Sequence, residues 1–461
     1  MRTLKAMPLE KSIIARTLET KRGERAYAIA ETLQDAGYEA WWVGGGVRDM
    51  LLGIVPHDID IATSALPEQI LPLFTRGKDD DAHLGSVRVL LGEDTFEVTT
   101  FREDDEASDG RHPESVAFGS RDADMRRRDF TVNALYWNPV TGEMLDPFGG
   151  QEDLKEKLLR FIGEPGIRIR HDALRILRAV RFRAALGGQY HPETYRALRE
   201  NAQAVEGLSG ARVRMELEKM LLTPQPDLAL QDLHDIGALP YLLPEIQACK
   251  GVPQPADYHH EGDVWEHTMQ CLRSLRPDDN VDVRLAILFH DCGKAETFSL
   301  KERIRFDHHA SVSAALAKAA FTRMQMPADR SRKIQWIIAH HMSMTFLDMP
   351  DERKAHWYFH PWFPELLRIF YLDVAGTTPS DFTLYESIVR DCDRFLDAHP
   401  RPEKPLLSGQ EVMDILGIRP GAQVGEALQA LHDAQVKGAV TTKSEARDFL
   451  LSQAERLTSA S

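Results

Sequence analysis

Trp42-Val43-Gly44-Gly45-Gly46-Val47-Arg48-Asp49, followed shortly by Asp58-Ile59-Asp60-Ile61-Ala62, is the most informative part of this 461-residue chain. Residues 39–43 read as a strand, the three glycines as a turn, and residues 47–52 as a short helix. Residues 58–62 alternate polar and apolar, as a half-buried strand does. Residues two apart in a strand share a face, so Asp58 and Asp60 point the same way. At about 3.3 Å per residue they are roughly 6.6 Å apart, and two like charges at that distance repel by about 2.5 kcal/mol at an effective dielectric near 20. A divalent cation between them removes that repulsion, and oxygen ligands with open positions suit Mg²⁺. A solvated polar strand face is the plain alternative. Glycines next to such a pair let backbone approach a phosphate closely, although a turn with no ligand fits the same letters. Glu97, in the strand-like Phe96-Glu97-Val98-Thr99, is a third carboxylate of the region, or an exposed strand acid.

Around this stretch the first 150 residues mix helix and strand. Residues 1–37 read as helical, with Ala26, Ile29, Ala30 and Leu33 on one face and Gly37 as the stop. Residues 86–91 and 95–100 form a hairpin around Gly92-Glu93-Asp94, and 103–113 is an acidic, apolar-poor mobile loop. Beyond residue 151 helical periodicity dominates, as in Leu174, Leu177 and Val180 or Leu217, Met220 and Leu221. Breaks in the pattern divide the chain into 1–150, 151–250, 251–399 and 400–461.

With 56 Lys and Arg against 71 Asp and Glu the net charge is −15, and 43% of residues are hydrophobic and 28% charged. That composition excludes a wholly disordered or fibrous chain. No stretch approaches the roughly 18 apolar residues of a membrane span, and the N-terminus lacks the apolar centre of a secretory signal. Cys249, Cys271, Cys292 and Cys392 show no paired spacing, which fits a reducing cytoplasm. Overall acidity argues against indiscriminate coating of nucleic acid but leaves room for a local basic groove.

Two basic segments supply candidates for such a groove. Arg126-Arg127-Arg128 precedes an apolar stretch, and Arg168, Arg170, Asp172, Arg175, Arg178, Arg181 and Arg183 follow. Residues three apart on a helix form one drifting stripe, and arginine forks engage phosphate or a base edge. Asp172 beside Arg175 adds an acceptor to a donor, as reading a nucleobase edge requires. An intrahelical salt-bridge face explains the stripe equally well.

A second constellation lies further on. His290-Asp291 ends the apolar run 285–289, with His267 upstream and His308-His309, His340-His341 and Asp373 downstream. Imidazoles with a carboxylate suit a transition metal or a mixed dinuclear site. Capping and surface histidines of long helices would give the same inventory.

Residues 43–49, 58–60, 97–102, 109–113, 126–134 and 172–182 match, in order, the motifs of bacterial-type tRNA nucleotidyltransferases, the CCA-adding enzymes, a superfamily shared with bacterial poly(A) polymerases. The chain thus resembles that family over roughly residues 38–245, including the link Asp146-Pro147-Phe148-Gly149-Gly150. The resemblance implies an α+β, polymerase-beta-like nucleotidyltransferase head followed by mostly α-helical neck, HD and tail domains. Asp58 and Asp60 would bind Mg²⁺ with help from Glu97, and Gly45, Arg48 and Arg128 would hold the triphosphate. Asp172 and Arg175 would select cytosine or adenine, supported by Arg178 and Arg181. The loop with Asp109, Gly110 and Arg111 would help switch specificity. The family usually has Glu-Asp ahead of the selecting arginine; here His171 takes the first position and Asp172 is kept.

The order His267…His290-Asp291…His309…His341…Asp373 resembles the HD superfamily of metal-dependent phosphohydrolases, implying that His267, His290, Asp291 and Asp373 hold a divalent metal. Phe306-Asp307-His308-His309-Ala310 departs from the usual Phe-x-Gly-His-Glu. Taken together, the resemblances imply an enzyme that adds or repairs the CCA end of tRNA with CTP and ATP, with phosphoester hydrolysis in the HD domain as a second activity. Rival readings are a poly(A) polymerase, a CC-only or A-only enzyme, or an HD phosphohydrolase with a non-catalytic RNA-binding half. The last sixty residues lack the strongly basic tail typical of poly(A) polymerases.

Overall fold

The computed structural model describes residues 9–74, 77–78, 85–103, 117–256, 259–399, 406–436 and 439–453. They fall into two compact units, one reaching to Gln247 with Arg323–Met326 added, the other holding Ala248–Thr322 and the chain from Pro327 onward. The cuts expected at 150 and 400 lie inside these units, so the division into four domains stays a proposal.

In the first unit a seven-stranded sheet is made from β1 (Ala40–Val43), β2 (Asp60–Thr63), β3 (Gly77–Lys78), β4 (Ser86–Leu91), β5 (Asp94–Thr100), β6 (Tyr136–Trp137) and β7 (Met144–Leu145). The order is β3-β4-β5-β2-β1-β6-β7. β2 runs parallel to β5, and the other pairs are antiparallel. Every residue of β1 is buried, and Trp42 meets Trp137 edge-on at 5.1 Å. One face is covered by α1 (Lys11–Leu18) and α2 (Lys21–Asp35). As their spacing predicts, Ala26, Ile29, Ala30 and Leu33 are fully buried in this core, the two larger ones contributing about 1.5–3 kcal/mol each. The Thr20 side chain caps α2 by accepting from Gly23 N.

The alternation predicts a strand over 58–62, but β2 begins at Asp60. The reason lies in the partner: β1 ends at Val43, opposite Asp60, and Gly44 at φ +66° turns the chain away. Residue 58 therefore has no ladder neighbour on β1. The turn leads into α3 (Gly45–Leu51), two residues ahead of the expected start. A Cβ on Gly46 would lie 2.9 Å from the Asp58 carbonyl oxygen, so glycine lets this helix back directly onto the segment that carries Asp58.

The rest of the unit is mostly helical and includes α4 (Arg121–Arg127), α5 (Pro165–His171), α6 (Leu174–Leu186) and α7 (Gly210–Leu221). α6 buries Ile176, Leu177, Ala179, Val180, Phe182 and Ala184. Asp172 is not on one helix with the arginines that follow it; it stands between α5 and α6 in extended backbone.

In the second unit α8 (Val264–Arg273), α9 (Val281–Phe289), α10 (His309–Arg323), α11 (Ala328–His340) and α12 (Phe363–Gly376) form the main helical layer. α9 is buried from Val283 to Phe289, including Arg284, whose guanidinium donates to Asp279 O and Arg276 O. Helices Gly409–Leu416, Ala422–Val436 and Lys443–Ser452 share a separate core around Val412, Ala427, Leu431 and Leu450. Among the described residues no helix is long and apolar enough to cross a membrane.

His308, where the HD pattern has glycine, takes φ +63° and is exposed. Left-handed backbone is unfavourable for a residue with a Cβ. His308→Gly should therefore raise stability by about 0.5–1 kcal/mol, after the entropy glycine adds to the unfolded chain, read as a higher urea midpoint.

Candidate functional site

A cleft of about 780 Å³ in the first unit is lined by Gly45, Arg48, Asp58, Asp60, Glu97, Arg128, Asp172, Arg175, Arg178 and Arg181 together. The loop residues Asp109, Gly110 and Arg111 lie outside the described residues. Nine cationic side chains face six carboxylates along its lining, so a basic groove does exist within an acidic chain.

The carboxylates are brought together by sheet register. Asp60 opposes Val43 across β1, and it immediately precedes Ile61, whose parallel partner Val98 is preceded by Glu97. Burial, then the charges of Asp58 and Glu97, push the Asp60 carboxyl up to about 6. Three crowded carboxylates with only oxygen donors fit a hard divalent cation. Asp58 is largely exposed, and its Oδ1 accepts from Arg22 Nη2 at 2.8 Å. Arg22 also donates to Thr95 O at 3.1 Å and lies over the Phe96 ring, so α2 steadies a carboxylate from outside the motif. Glu97 Oε1 accepts from Ser86 Oγ at 2.8 Å.

The opposite wall is an arginine lattice. Arg48 donates to Asp49 Oδ1 and, at 2.9 Å, to Asn133 Oδ1. Arg128 Nε donates to the Tyr136 hydroxyl at 2.9 Å, and its Nη2 lies 3.3 Å from Asp124 Oδ2. The Asp124 carboxylate is 1% exposed and also pairs with Arg127 at 2.7 Å. Arg178 pairs with buried Asp129 at 2.6 Å and Arg181 with Glu216 at 2.7 Å. These pairs reach other elements, so the stripe is not an intrahelical salt-bridge face. Arg183 leaves it altogether, donating to Asp232 and to Gly188 O. Asp172 accepts from Leu174 N at 3.1 Å, and both its oxygens accept from Arg212 Nη2. Arg175 Nη1 donates to Arg168 O at 2.8 Å.

Sequence reasoning missed Arg22, Asp124, Arg212 and Glu216. Asp129 stands inside the 126–134 motif and could have been read as the acceptor that a buried arginine needs; Arg22 carries no such signal.

In the second unit His267, His290, Asp291 and Asp373 converge. His267 Nε2 lies 3.3 Å from His290 Nε2, 3.0 Å from Asp373 Oδ1 and 3.7 Å from Asp291 Oδ2. His309 Nε2 and His341 Nε2 approach Asp291 Oδ1 at 3.3 and 3.7 Å, and both are buried without a hydrogen bond. Each ring is anchored through its other nitrogen: His290 Nδ1 to Ile287 O, His309 to Phe306 O, His341 to Ile338 O and His267 to Glu261 Oε1. A carbonyl only accepts, so Nδ1 carries the proton and the Nε2 lone pairs point inward, as metal ligands do. Burial would lower His290, but Asp291 and Asp373 push it up to about 10. The site thus draws positive charge to the His290 Nε2, where a proton and a metal compete for one lone pair, and Lys294 Nζ already lies 2.6 Å from Asp291 Oδ2. Cys271 also joins it.

The chain matches three family models in order: the poly(A) polymerase head domain over residues 40–160, the family described as "Probable RNA and SrmB- binding site of polymerase A" over 189–250, and the HD domain over 258–397. It is 34% identical over 433 residues to the CC-adding tRNA nucleotidyltransferase of Thermus thermophilus, covering 90% of this chain and 93% of that one. The A-adding tRNA nucleotidyltransferase of Deinococcus radiodurans is 34% identical over 434 residues, 90% and 95% of the two chains. A CCA-adding enzyme of Geobacillus thermodenitrificans is 44% identical over 220 residues, 48% of this chain and 54% of that one, so that match spans about half of the relative. The crystal structure of the Bacillus stearothermophilus CCA-adding enzyme in complex with CTP is similar with a TM-score of 0.64 at 28% identity, covering 95% of this chain and 98% of that one.

Burial alone would raise the Asp124 carboxyl, but Arg128 and Arg127 outweigh it and hold it below the usual range. Asp124→Asn should cost about 3 kcal/mol at neutral pH, because it leaves guanidinium groups unpaired. A depressed carboxylate stabilises the fold above its unfolded pKa and loses that contribution as pH falls. The gap between wild type and variant in urea unfolding should therefore close below about pH 4.

Proposed function

The chain belongs to the tRNA nucleotidyltransferase family, and from that membership we propose that it builds or repairs the CCA end of tRNA with CTP and ATP. The observation that carries the reading is the single cleft where Asp58, Asp60 and Glu97 face Arg48, Arg128, Asp172 and Arg175. Mg²⁺ held by Asp58 and Asp60 would neutralise the triphosphate and make the tRNA 3′-hydroxyl a better nucleophile. The hydroxyl attacks the α-phosphate and pyrophosphate leaves.

This chain's own residues supply the positioning. Gly45 leaves backbone open to phosphate, and Arg48 and Arg128 hold the triphosphate with guanidinium groups already fixed by Asn133 and Tyr136. Asp172 and Arg175 offer an acceptor and a donor to the edge of cytosine or adenine. Arg212 and Arg168 O tether these two side chains, so little rotamer freedom is lost on binding. Arg178 and Arg181, locked onto Asp129 and Glu216, support the base from α6. With tRNA as substrate, the compartment is the cytoplasm.

For the second unit we propose a divalent-metal phosphohydrolase acting on phosphate esters or 2′,3′-cyclic phosphates. Four imidazoles anchored at Nδ1 around Asp291 support it.

Purified protein incubated with tRNA transcripts lacking CCA, CA or A, with CTP alone, ATP alone or both, should extend each only to the complete end. A homopolymer tail would favour poly(A) synthesis, and a stop at CC or a requirement for CC would favour a partial enzyme. In the same assay Asp58→Ala should abolish incorporation of both nucleotides, and Arg175→Ala should blur the choice between CTP and ATP more than it raises KM; an equal loss for both would count against base reading. Separately, phosphate release from cyclic phosphates should disappear in Asp291→Ala while nucleotide addition survives. Loss of both activities together would assign Asp291 a structural role.

A further inference from the structure

One turn after His267 on α8, the next position on the same face is Cys271. Its sulfur is fully buried and lies 3.5 Å from His267 Nε2. The same Nε2 is 3.3 Å from His290 Nε2 and 3.0 Å from Asp373 Oδ1. These four donor atoms all lie within 4.8 Å of one another. A tetrahedral centre with metal–sulfur bonds of about 2.3 Å and metal–nitrogen bonds of about 2.0–2.1 Å puts sulfur about 3.6 Å from nitrogen and nitrogen about 3.3 Å from nitrogen. The Cys271 sulfur and His290 Nε2 therefore already stand at ligand-to-ligand spacing from His267 Nε2.

A buried cysteine also serves as a small hydrophobe, and packing alone would be met by turning the sulfur elsewhere. Cys292 does so, with its sulfur toward Ser313 O at 3.8 Å. Cys271 instead sits in the ring of donors, and the facing helix makes room for it: a Cβ on Gly376 would come within 2.2 Å of its sulfur.

We propose that Cys271 is a sulfur ligand, with His267, His290 and Asp373, to a borderline divalent cation of the Zn²⁺, Co²⁺ or Fe²⁺ class. Thiolate selects such ions over Mg²⁺, which prefers oxygen. As the metal–sulfur bond forms the thiol proton passes to solvent, and no oxidant is required. Asp291 keeps its Oδ1 toward His309 and His341, and its Oδ2, 3.3 Å from His290 Nε2 and 3.7 Å from His267 Nε2, is placed to join the same ion as a fifth ligand. The inference rests on the second unit being a metal centre, and the experiment separates the two.

Full-length protein freed of metal by a chelator is titrated with Co²⁺ in excess Mg²⁺, which fills the all-oxygen site. The expected result is tight cobalt binding with a near-ultraviolet thiolate-to-cobalt charge-transfer band. That band should vanish in Cys271→Ser and persist in Cys249→Ser. Zn²⁺ affinity of Cys271→Ser should fall by more than the roughly 10–100-fold that loss of an outer partner costs, with Mn²⁺ affinity changed far less. Cobalt bound without the band, or a band that survives Cys271→Ser, overturns the sulfur ligand alone; no cobalt bound overturns the metal centre as well. X-ray absorption at the cobalt edge of the wild type, expecting a sulfur neighbour at about 2.3 Å, decides the matter even where the variant does not fold.

Discussion

Val43 pairs with Asp60 and Ile61 with Val98, and through these two ladders a carboxylate stands where the chain leaves β1 for its glycine turn. The pairing is enforced from the core side. Trp42, Ile61 and Val98 are almost wholly buried, and a one-residue slip would turn Ile61 to the cleft and Asp60 into the core. Burying an ionised carboxylate there costs far more than the repulsion it suffers in place. The hydrophobic register thus holds Asp60 and Glu97 at the cleft, while Asp58, outside the ladder, is held by Arg22; burial first, and then the charges of Asp58 and Glu97, push the Asp60 carboxyl up to about 6.

The arginine wall obeys a different constraint. A guanidinium that is partly desolvated must be given acceptors; Arg128 takes Asp124 from four residues back on α4, while Arg178 and Arg181 take Asp129 and Glu216 from 49 and 35 residues away. Each pair ties α6 or the 126–134 segment to its surroundings, so the cations are fixed before an anion arrives. Fixed donors aimed at a developing charge need no reorganisation. A chain with a net charge of −15 can therefore present a local excess of cations, because the effect is set by side-chain position within about a Debye length of 8–10 Å rather than by the total.

Much of this was legible in the letters. Helix α2 with its buried face, the hairpin of β4 and β5, and the grouping of ten cleft residues all follow from periodicity and motif order. What failed to show has a common cause. Asp58 falls outside β2, and Asp172 stands between α5 and α6, because strand and helix ends are set by partners rather than by the local pattern. Arg22 and Glu216 act across separations of 36 and 35 residues, where periodicity carries no information, whereas Asp124 stands three and four residues before its arginines and could have been read from helical spacing. His309 and His341 were visible as members of an ordered series, yet their convergence on Asp291 depends on where α10 begins and α11 ends. The glycine missing from the HD pattern is explained by backbone: His308 adopts the left-handed conformation that glycine would take.

Two donor chemistries coexist in one chain, kept apart by side-chain identity and by burial. In the cleft of the first unit the candidate ligands Asp58, Asp60 and Glu97 are carboxylates, which suit a hard cation that retains water and can be bridged by a triphosphate. In the second unit the inward-facing groups are imidazole Nε2 atoms, each locked by an outward hydrogen bond, with carboxylates and a thiol among them. Most of this set is withdrawn from solvent: Asp291 is 2% exposed and His267 and His290 not at all, while the Asp373 side chain keeps 23% exposure. A cation reluctant to shed its hydration shell is disfavoured there, whereas one that bonds nitrogen and sulfur strongly is rewarded for dehydrating. Selectivity then follows from burial and ligand softness together, so the two centres need not compete for the same ion.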